Sequence, residues 1–369
     1  MGEEIERVAQ AIRAFERGEI VVVTDDDDRE NEGDLFVAAS HCTAEKMAFI
    51  IRHTSGIVCA PLTSEIARRL RLDPMVSSND APQGTAFTVS VDFRHDLTTG
   101  ISAEERTATV RGLANGNAGP VDFVRPGHVF PLIARDGGVL MRSGHTEACV
   151  DLCKLAGHEP VGVLAELVND DGTVMRGGQV AAFAKEHSFV SVSVADLIAY
   201  RQRSERLVER LDSFSMQTPY GPAEVFTYGT PFDPMHHLAL VFGDIGDGRS
   251  LLVRLQLEEV AENVFGSTGR MDRILEKIAG HGRGVIVYLR EGAVGVARSG
   301  ARTRHASMES EDHASAQARG EEWREIGLGA QILNDLGVQS IRLIASRERH
   351  YVGLSGFGIV IEETEIFDV

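Results

Sequence analysis

Short apolar runs alternate with helix-patterned segments along this chain, and this alternation constrains its fold more than any other feature. Apolar residues recur at helical spacing from Ile5 to Phe15, and the run Glu-Ile-Val-Val-Val-Thr at 19–24 then predicts a short buried strand. Further segments in the first half follow either a helical pattern (43–54, 64–70, 146–156) or a strand pattern (86–93, 139–141, 162–167, 189–194). Such alternation predicts a layered α/β (α+β) sandwich, in which helices cover a sheet.

A charged stretch at 202–212, followed by Ser-Phe-Ser-Met-Gln-Thr-Pro-Tyr-Gly-Pro, interrupts this pattern. We place a domain boundary there, which predicts domains at 1–206 and 207–369. The second domain repeats strand and helix patterns and is predicted to be α/β as well, with elements at 251–257, 271–279, 284–289, 328–336, 340–345 and 357–362. Its polar segment 298–322 predicts a loop or a solvated helix.

Composition narrows the possible functions. The 369 residues and 43% hydrophobic content suffice for two cores. A net charge of -18 argues against a general nucleic-acid or anionic-membrane binder. Without a signal-peptide pattern or a long apolar run, we expect a cytoplasmic protein. The four cysteines show no disulfide spacing, and Cys149 and Cys153 are expected to be reduced core residues on one helix face.

An acidic segment follows the first predicted strand. Residues 25–34, Asp-Asp-Asp-Asp-Arg-Glu-Asn-Glu-Gly-Asp, contain seven carboxylates and one arginine. In an extended loop, Asp28, Glu30, Glu32 and Asp34 would project to one side, and such oxygen ligands suit Mg²⁺. A solvated acidic turn is the alternative, although the position directly after a strand favours a ligand site. The spacing excludes an EF-hand.

A second candidate site is the segment Gly-Gly-Val-Leu-Met-Arg-Ser-Gly-His-Thr, which predicts a turn, a short strand and a helix start. Ser143 or Thr146 is expected to cap that helix, and Gly144 lets a ligand approach the backbone. A helix N-terminus beside Arg142 predicts an anion site, where Thr146 and local N–H groups hold phosphate. His145 would then be placed to bind a metal, and the alternative is a simple cap or surface residue.

Two more residues are candidates for proton transfer. His128 lies in Arg125-Pro-Gly-His-Val-Phe-Pro131, which predicts a loop bracketed by proline and glycine, and such a loop favours rigid placement of its side chain. Glu166 stands inside an apolar strand pattern, where burial of a lone carboxylate is costly. It is therefore either paired or a group of raised pKa suited to proton transfer, and the residues alone leave this choice open.

Six motifs occur in order along residues 4–203 and together resemble 3,4-dihydroxy-2-butanone 4-phosphate synthase. They lie at 26–34, 52–59, 84–89, 98–102, 125–132 and 144–148. The resemblance implies a compact α/β sandwich, a homodimer with sites near its interface, and Mg²⁺ or Mn²⁺ as the metal. It also implies a lyase of riboflavin biosynthesis that converts D-ribulose 5-phosphate to 3,4-dihydroxy-2-butanone 4-phosphate and formate, without an organic cofactor.

The resemblance also implies roles for particular residues. Glu30 and His145 would be the metal ligands, and His128 and Glu166 the essential acid–base pair. The implied substrate contacts are Arg29, Glu30, Asp34, Arg142, Ser143, Gly144, His145, Thr146 and Glu166. Glu105 stands where the family has an aspartate, which is a departure within a loop expected to contact substrate.

From Phe214 onward the chain resembles GTP cyclohydrolase II, through 264–267, 282–290 and 327–338. That family holds its catalytic zinc with three cysteines, and the matching positions here are Glu259, Arg270 and Asp272. No cysteine follows Cys153 in the sequence, so we expect no zinc in this domain. Two carboxylates and an arginine at these positions predict an ion pair instead.

Three further departures affect this second resemblance. The family's Gln-Glu-Gly-Arg-Gly loop is reduced to Arg-Glu-Gly-Ala-Val-Gly at 290–295, and its Asn-Asn-Pro-x-Lys segment is replaced at 345–350. Arg324 stands at the place of the catalytic arginine, with Glu322 and Ile326 as changed neighbours. We predict a catalytically inactive domain with a structural or regulatory role, such as sensing a nucleotide, a flavin or a partner enzyme. The alternative is a bifunctional enzyme that keeps GTP cyclohydrolase activity through a non-cysteine metal site.

Overall fold

A computed structural model of the chain describes residues 3–25, 31–81, 83–231, 233–258, 269–290, 327–345 and 358–367. The chain divides into two compact units, Met1–Arg201 and Gln202–Val369. Within the described residues each unit contains one mixed sheet of seven strands, accompanied by helices. The prediction of two α/β domains is confirmed.

The elements of the first unit follow one another as helix and strand. The helices are α1 (Glu3–Glu16), α2 (Ala44–His53), α3 (Ser64–Leu70), α4 (Ala103–Leu113), α5 (His145–Leu155), α6 (Gly178–Glu186) and α7 (Val194–Ser204). The strands are β1 (Val21–Thr24), β2 (Gly33–Ala38), β3 (Cys59–Leu62), β4 (Val91–Phe93), β5 (Phe123–Ile133), β6 (Gly162–Glu166) and β7 (Val190–Ser193).

The first sheet has the order β4-β5-β3-β6-β2-β1-β7. Strand β2 is antiparallel to both β1 and β6, whereas β3 runs parallel to β5. Every residue of β2 is buried, as expected for a central strand covered on both faces. One face of this sheet and helices α2 and α4 form a continuous apolar core, to which Leu35, Val37, Ile50 and Val110 contribute.

Two predicted strands of this unit are wrong or too long. In place of the strand predicted at 139–141 there is a 3-10 helix, Gly138–Leu140, followed by Met141 as its C-cap, because Gly137 and Gly138 adopt positive φ angles of 90° and 65° that turn the chain. The strand predicted at 86–93 shortens to β4, since Phe87 and Thr88 make only isolated bridges, to Leu132 and Pro74.

The second unit begins with a long antiparallel meander. Its strands are β8 (Glu209–Thr218), β9 (Gly221–Thr230), β10 (Asp233–Phe242), β11 (Leu251–Leu257), β12 (Gly284–Leu289), β13 (Ser340–Ala345) and β14 (Val360–Ile366). Its helices are α8 (Arg270–His281) and α9 (327–335). The sheet order is β14-β13-β11-β12-β10-β9-β8, and β11 to β14 pair with one another in parallel.

The segment interpreted as a break between domains is a β-hairpin. Thr218 pairs with Gly221, so Pro219 and Tyr220 form a two-residue turn between β8 and β9. Proline and glycine therefore mark a tight turn within a sheet at this point, in the stretch where we placed the domain boundary. The predicted loop at 298–322 lies outside the described residues. In the part of the chain that the structure describes, no helix is both long and apolar enough to span a membrane.

Candidate active site

A cluster of carboxylates lies where β2 and β6 meet. Buried Asp34 of β2 pairs directly with Glu166, the last residue of β6, so both side chains lie on the same face. Glu32, two residues before Asp34, forms an ion pair of 2.9 Å with Arg176. The pKa of Glu32 is raised, chiefly by partial burial and also by the negative charges of Glu166 and Asp25. The hydrogen bond from Arg176 lowers the pKa in part but does not cancel the rise. The cluster is therefore a concentration of negative charge that favours a cation.

The expectation that Glu166 is buried is wrong. The residues of β6 before it, Gly162 to Ala165, are buried, but the strand ends at Glu166, which is exposed. Burial therefore gives no reason to expect that Glu166 is ion-paired or that its pKa is raised. Its position at the strand end instead makes its carboxylate accessible to a ligand.

His145 extends the cluster on the other side. It is the first residue of α5, its side chain is 10% exposed, and its Nδ1 lies 3.6 Å from Asp34 Oδ1. The ring of Phe36 packs edge-on against it at 5.9 Å. These contacts place an imidazole beside the carboxylates, although the residues come from distant parts of the chain.

Helix α5 begins without the predicted cap. Gly144 is its N-cap residue and no side chain caps the helix, so the expectation for Ser143 or Thr146 is wrong. Thr146 is buried within the first turn, where it cannot act as the N-cap. A Cβ at position 144 would lie 2.3 Å from Arg142 Nη1, so a larger residue there would displace the guanidinium. The backbone N–H groups of the first turn are thus not capped by a side chain.

Arg142 is held beside this helix start by several contacts. It donates to Glu147 Oε2 at 2.6 Å, and to the Gln83 carbonyl and Thr85 Oγ1 at 3.1 Å each. Glu147 is buried and also accepts the Arg135 N–H at 3.0 Å. The guanidinium is thus fixed near the predicted anion site. Among the other predicted contacts, Ser143 is half-buried, whereas Arg29 and Glu30 lie outside the described residues.

His128 lies elsewhere in the sheet, on β5, so the prediction that it lies on a loop is wrong; the chain around it is extended and pairs with β4. Strand β3 separates β5 from β6, which carries Glu166. The His128 N–H donates to Asp92 Oδ1 at 2.8 Å, and its Nδ1 lies 2.7 Å from Asp92 Oδ2. Sequence reasoning missed Asp92. The signal was available, because Asp92 stands in an apolar strand pattern as Glu166 does, and it is the one of these two that is buried.

Cys59 occupies the strand between these two groups. It is buried in β3 and pairs with Phe130 of β5 and Leu164 of β6. Burial, and then the negative charges of Asp34 and Glu166, raise the pKa of the Cys59 thiol to about 12. Cys59 is therefore a neutral thiol near neutral pH. Cys42, Cys59, Cys149 and Cys153 are all free and buried, so the expectation of reduced core cysteines is confirmed.

A loop formed by Thr98–Ser102 closes over the histidine. Gly100 has φ +84°, and a Cβ there would lie 2.1 Å from Asp92 Oδ2 and 2.7 Å from His128 Nδ1. Glu105 holds this loop by accepting the N–H and hydroxyl of Thr98 at 2.7 and 2.8 Å. Backbone bonds from Thr98 and Gly100 lower the pKa of Glu105 well below its usual range. The glutamate at this position is thus the residue that orders the loop.

The side chains of this cluster suit a divalent metal ion because of the kinds of donor atom they carry. Among the described ranges, no three or more His, Cys, Asp or Glu side chains are arranged to hold a metal ion. The carboxylates of Glu32, Asp34 and Glu166 and the imidazole of His145 are nevertheless donors that suit a hard divalent ion, which keeps several water ligands when it is Mg²⁺. These residues fit such an ion as part of a site that substrate and water complete.

The second unit is described only in part around the positions matched to zinc cysteines. Glu259 and the Arg270 side chain lie outside the described residues, as do 291–295, Arg324 and 346–350, so the predicted ion pair stays a prediction. Desolvation and a hydrogen bond to exposed Asp272 raise the pKa of Tyr220. At the end of β12, Arg290 Nε donates to Glu258 Oε1 at 3.0 Å.

The fold and the clustered site define a two-domain enzyme with carboxylates and histidines at strand ends. Residues 9–200 match the family of 3,4-dihydroxy-2-butanone 4-phosphate synthase, and residues 209–365 match GTP cyclohydrolase II. The chain belongs to the 3,4-dihydroxy-2-butanone 4-phosphate synthase family, with a GTP cyclohydrolase II domain joined to it, and is a lyase-type enzyme of riboflavin biosynthesis. The resemblances found in the sequence are confirmed.

Relatives match over nearly the whole chain. The riboflavin biosynthesis protein RibBA of Salinispora arenicola is 45% identical, over 96% of this chain and 87% of its own. Two Arabidopsis thaliana proteins are each 44% identical over 96% of this chain. One is named the bifunctional protein RIBA 1, with 67% of its length covered, and the other the monofunctional protein RIBA 2, with 75% covered.

Two solved structures are similar as well. RibBX, described as a two domain 3,4-dihydroxy-2-butanone 4-phosphate synthase from A. baumannii, is 37% identical with a TM-score of 0.83, over 98% of this chain and all of that one. A 3,4-dihydroxy-2-butanone 4-phosphate synthase in complex with two magnesium ions is 47% identical with a TM-score of 0.52. The match covers 53% of this chain and 97% of the chain in that structure.

Proposed function

We propose that the first domain, residues 1–206, converts D-ribulose 5-phosphate to 3,4-dihydroxy-2-butanone 4-phosphate and formate. The observation that supports this most is the cluster of Asp34, Glu166 and His145, in a chain of this family. The five-carbon substrate loses C4 as formate, and the remaining four carbons keep the phosphate. The reaction needs enolisation, dehydration and a skeletal shift, and therefore several proton transfers.

Substrate binding is assigned to two groups of residues. Arg142 and the start of α5, with Ser143, Gly144 and Thr146, bind the phosphate, because a fixed guanidinium and uncapped N–H groups attract an anion. The other contacts are assigned to Arg29, Glu30, Asp34, His145 and Glu166. Glu147 does not bind substrate in this scheme but holds Arg142 in place.

Glu30 and His145 would hold Mg²⁺, for which Mn²⁺ is the substitute. The bound ion would supply Lewis-acid stabilisation of negative charge on the substrate oxygens. Asp34 Oδ1, 3.6 Å from His145 Nδ1, adds negative charge beside that imidazole, which favours a cation there. These assignments are supported by the negative charge of the cluster and by the magnesium complex of the similar structure.

His128 and Glu166 are assigned to acid–base catalysis. Both groups are accessible, since the His128 side chain is 41% exposed and Glu166 ends its strand at the surface. The sheet holds them on different strands, so each can serve a different atom of the substrate. Positioned groups of this kind contribute about 10²- to 10⁴-fold each to a reaction rate.

We further propose that the enzyme is a homodimer and that its second domain, 207–369, does not open the GTP ring. The absence of cysteine after Cys153 supports the second point, as does the description of RibBX as a two domain synthase. The name of RIBA 1 favours the alternative, a bifunctional enzyme with a non-cysteine metal site.

Formate release from ribulose 5-phosphate and Mg²⁺ tests the main proposal. We expect formate in the wild type, its loss with EDTA, and a fall of at least about 10²-fold in Glu30→Ala and Glu166→Gln. Glu186→Gln, which changes an exposed glutamate at the end of α6, is the matched control and should keep full activity. Absence of formate from folded, magnesium-loaded wild type would refute the proposal.

A parallel reaction with GTP, together with metal analysis and light scattering, tests the other two points. We expect no GTP turnover, less than stoichiometric zinc and the mass of a dimer. GTP turnover would show that the enzyme is bifunctional, and a monomeric mass would contradict the proposed homodimer.

A further inference from the structure

Both carboxylate oxygens of Asp92 contact the same residue, His128. Oδ1 accepts the backbone N–H of His128 at 2.8 Å, and Oδ2 lies 2.7 Å from the His128 Nδ1. The Asp92 side chain is 4% exposed, whereas that of His128 is 41% exposed. An ionised carboxylate only accepts hydrogen bonds, so Nδ1 must carry a proton. In the neutral ring, Nε2 is then the nitrogen with a lone pair.

The surroundings hold this pair in one geometry. Strand β4 places Asp92 beside β5, and Gly100 covers the carboxylate so closely that a side chain there would overlap Oδ2. Buried Arg106 interacts with the Asp92 charge and donates to the Gly56 carbonyl at 3.0 Å. Asp92 is thus fixed by a strand, a loop and a cation, as a group that orients another side chain must be.

We propose that Asp92 is a positioning residue that sets the tautomer of His128 and so presents Nε2 to the substrate as the group that takes up and returns a proton. The inference about rate rests on the proposed function, whereas the inference about the tautomer does not. Asparagine cannot replace Asp92, because its NH₂ group must face either the His128 N–H or Nδ1. If its oxygen keeps the backbone bond, the imidazole proton must move to Nε2.

The same unit contains a matched control pair. Asp122 accepts the Gly119 N–H at 2.8 Å and lies 2.8 Å from Nε2 of His95, so one carboxylate again contacts a backbone N–H and an imidazole. This pair is on the surface and contains none of the predicted site residues. Asp122→Asn therefore makes the same chemical change away from the site.

The test measures tautomers and kinetics on the full chain. In protein with ¹⁵N-labelled histidine at about pH 8, long-range ¹H–¹⁵N spectra distinguish the two tautomers, and the signals missing in His128→Gln identify His128. We expect the Nδ1–H form in wild type and in Asp122→Asn, and the Nε2–H form in Asp92→Asn. In the formate assay, kcat of Asp92→Asn should fall about 10²- to 10⁴-fold with KM changed less than about threefold. Asp92→Glu should recover at least about tenfold of that loss.

Each outcome decides the inference. Retention of the Nδ1 proton in Asp92→Asn overturns it, and so does a kcat within about twofold of wild type. If the wild type makes no formate, the proposed function fails while the spectra still decide the role of Asp92. If Asp92→Asn does not fold, the wild-type spectrum carries the measurement, because the His128 Nδ1 contact with Asp92 requires the Nδ1–H form. The Nδ1–H form in wild type then supports the inference, and the Nε2–H form overturns it.

Discussion

Replacing Gly100 by alanine tests whether the Thr98–Ser102 loop must close directly onto Asp92 and His128. The backbone at Gly100 has φ +84°, a conformation that costs an L-residue about 1–2 kcal/mol. The new methyl group would also lie 2.1 Å from Asp92 Oδ2 and 2.7 Å from His128 Nδ1. Inserting a methyl into a filled space costs about 1–3 kcal/mol. The expected loss of stability is therefore about 2–5 kcal/mol in total.

Gly172→Ala separates the two contributions. Gly172 has φ +86°, but no atom lies within 4 Å of the position of its Cβ, so only the backbone cost of about 1–2 kcal/mol applies. Urea unfolding followed by circular dichroism measures both losses, and the formate assay measures kcat. We expect kcat to fall at least about tenfold in Gly100→Ala only, because the pair must move. Equal stability losses with unchanged turnover in both variants would refute the steric argument.

Three further results are expected. Arg201→Met leaves Asp151 buried without its 2.7 Å ion pair and should cost about 3–5 kcal/mol in urea unfolding, and replacing Asp151 by leucine as well should recover part of this loss. Because folding lowers the pKa of Glu105, its ionised carboxylate stabilises the protein at pH values above the ordinary pKa of 4.5. The difference in stability between wild type and Glu105→Gln should therefore shrink as the pH falls from about 6 to about 3, and a constant difference would contradict this. Asp335→Ala removes the acceptor of the buried Tyr228 hydroxyl, at 2.9 Å, and should cost about 1–3 kcal/mol, more than Tyr228→Phe in the same unfolding assay.

Local signals predicted the elements whose ends depend on nearby residues. Helix α3 was predicted at 64–70 and occurs there, because Thr63 accepts the Ile66 N–H and caps it. Strand β13 also occurs at the predicted residues, since its apolar run is bounded by Gly337 on one side. The periodicity of apolar residues was therefore sufficient where caps and turns lie within a few positions.

Features that depend on pairing between strands could not be predicted in this way. The exposure of Glu166 follows from where β6 ends in the sheet, and the hairpin at 218–221 follows from the pairing of β8 with β9. Asp92 and His128 are 36 residues apart and meet only because β4 pairs with β5. The family resemblance supplied the remaining site residues, among which those at the start of α5 lie together in the fold while Arg29 and Glu30 lie outside the described residues.

The position of Glu105 within α4 couples the helix to the loop. Glu105 is the third residue of α4, where its N–H bonds to Ser102 Oγ while its carboxylate holds Thr98. Fraying of one helical turn and release of the loop are therefore a single opening event. The amide protons of Thr98, Thr99 and Ser102 should consequently exchange with solvent at one common opening free energy, and the same event uncovers the Asp92 carboxylate beneath Gly100.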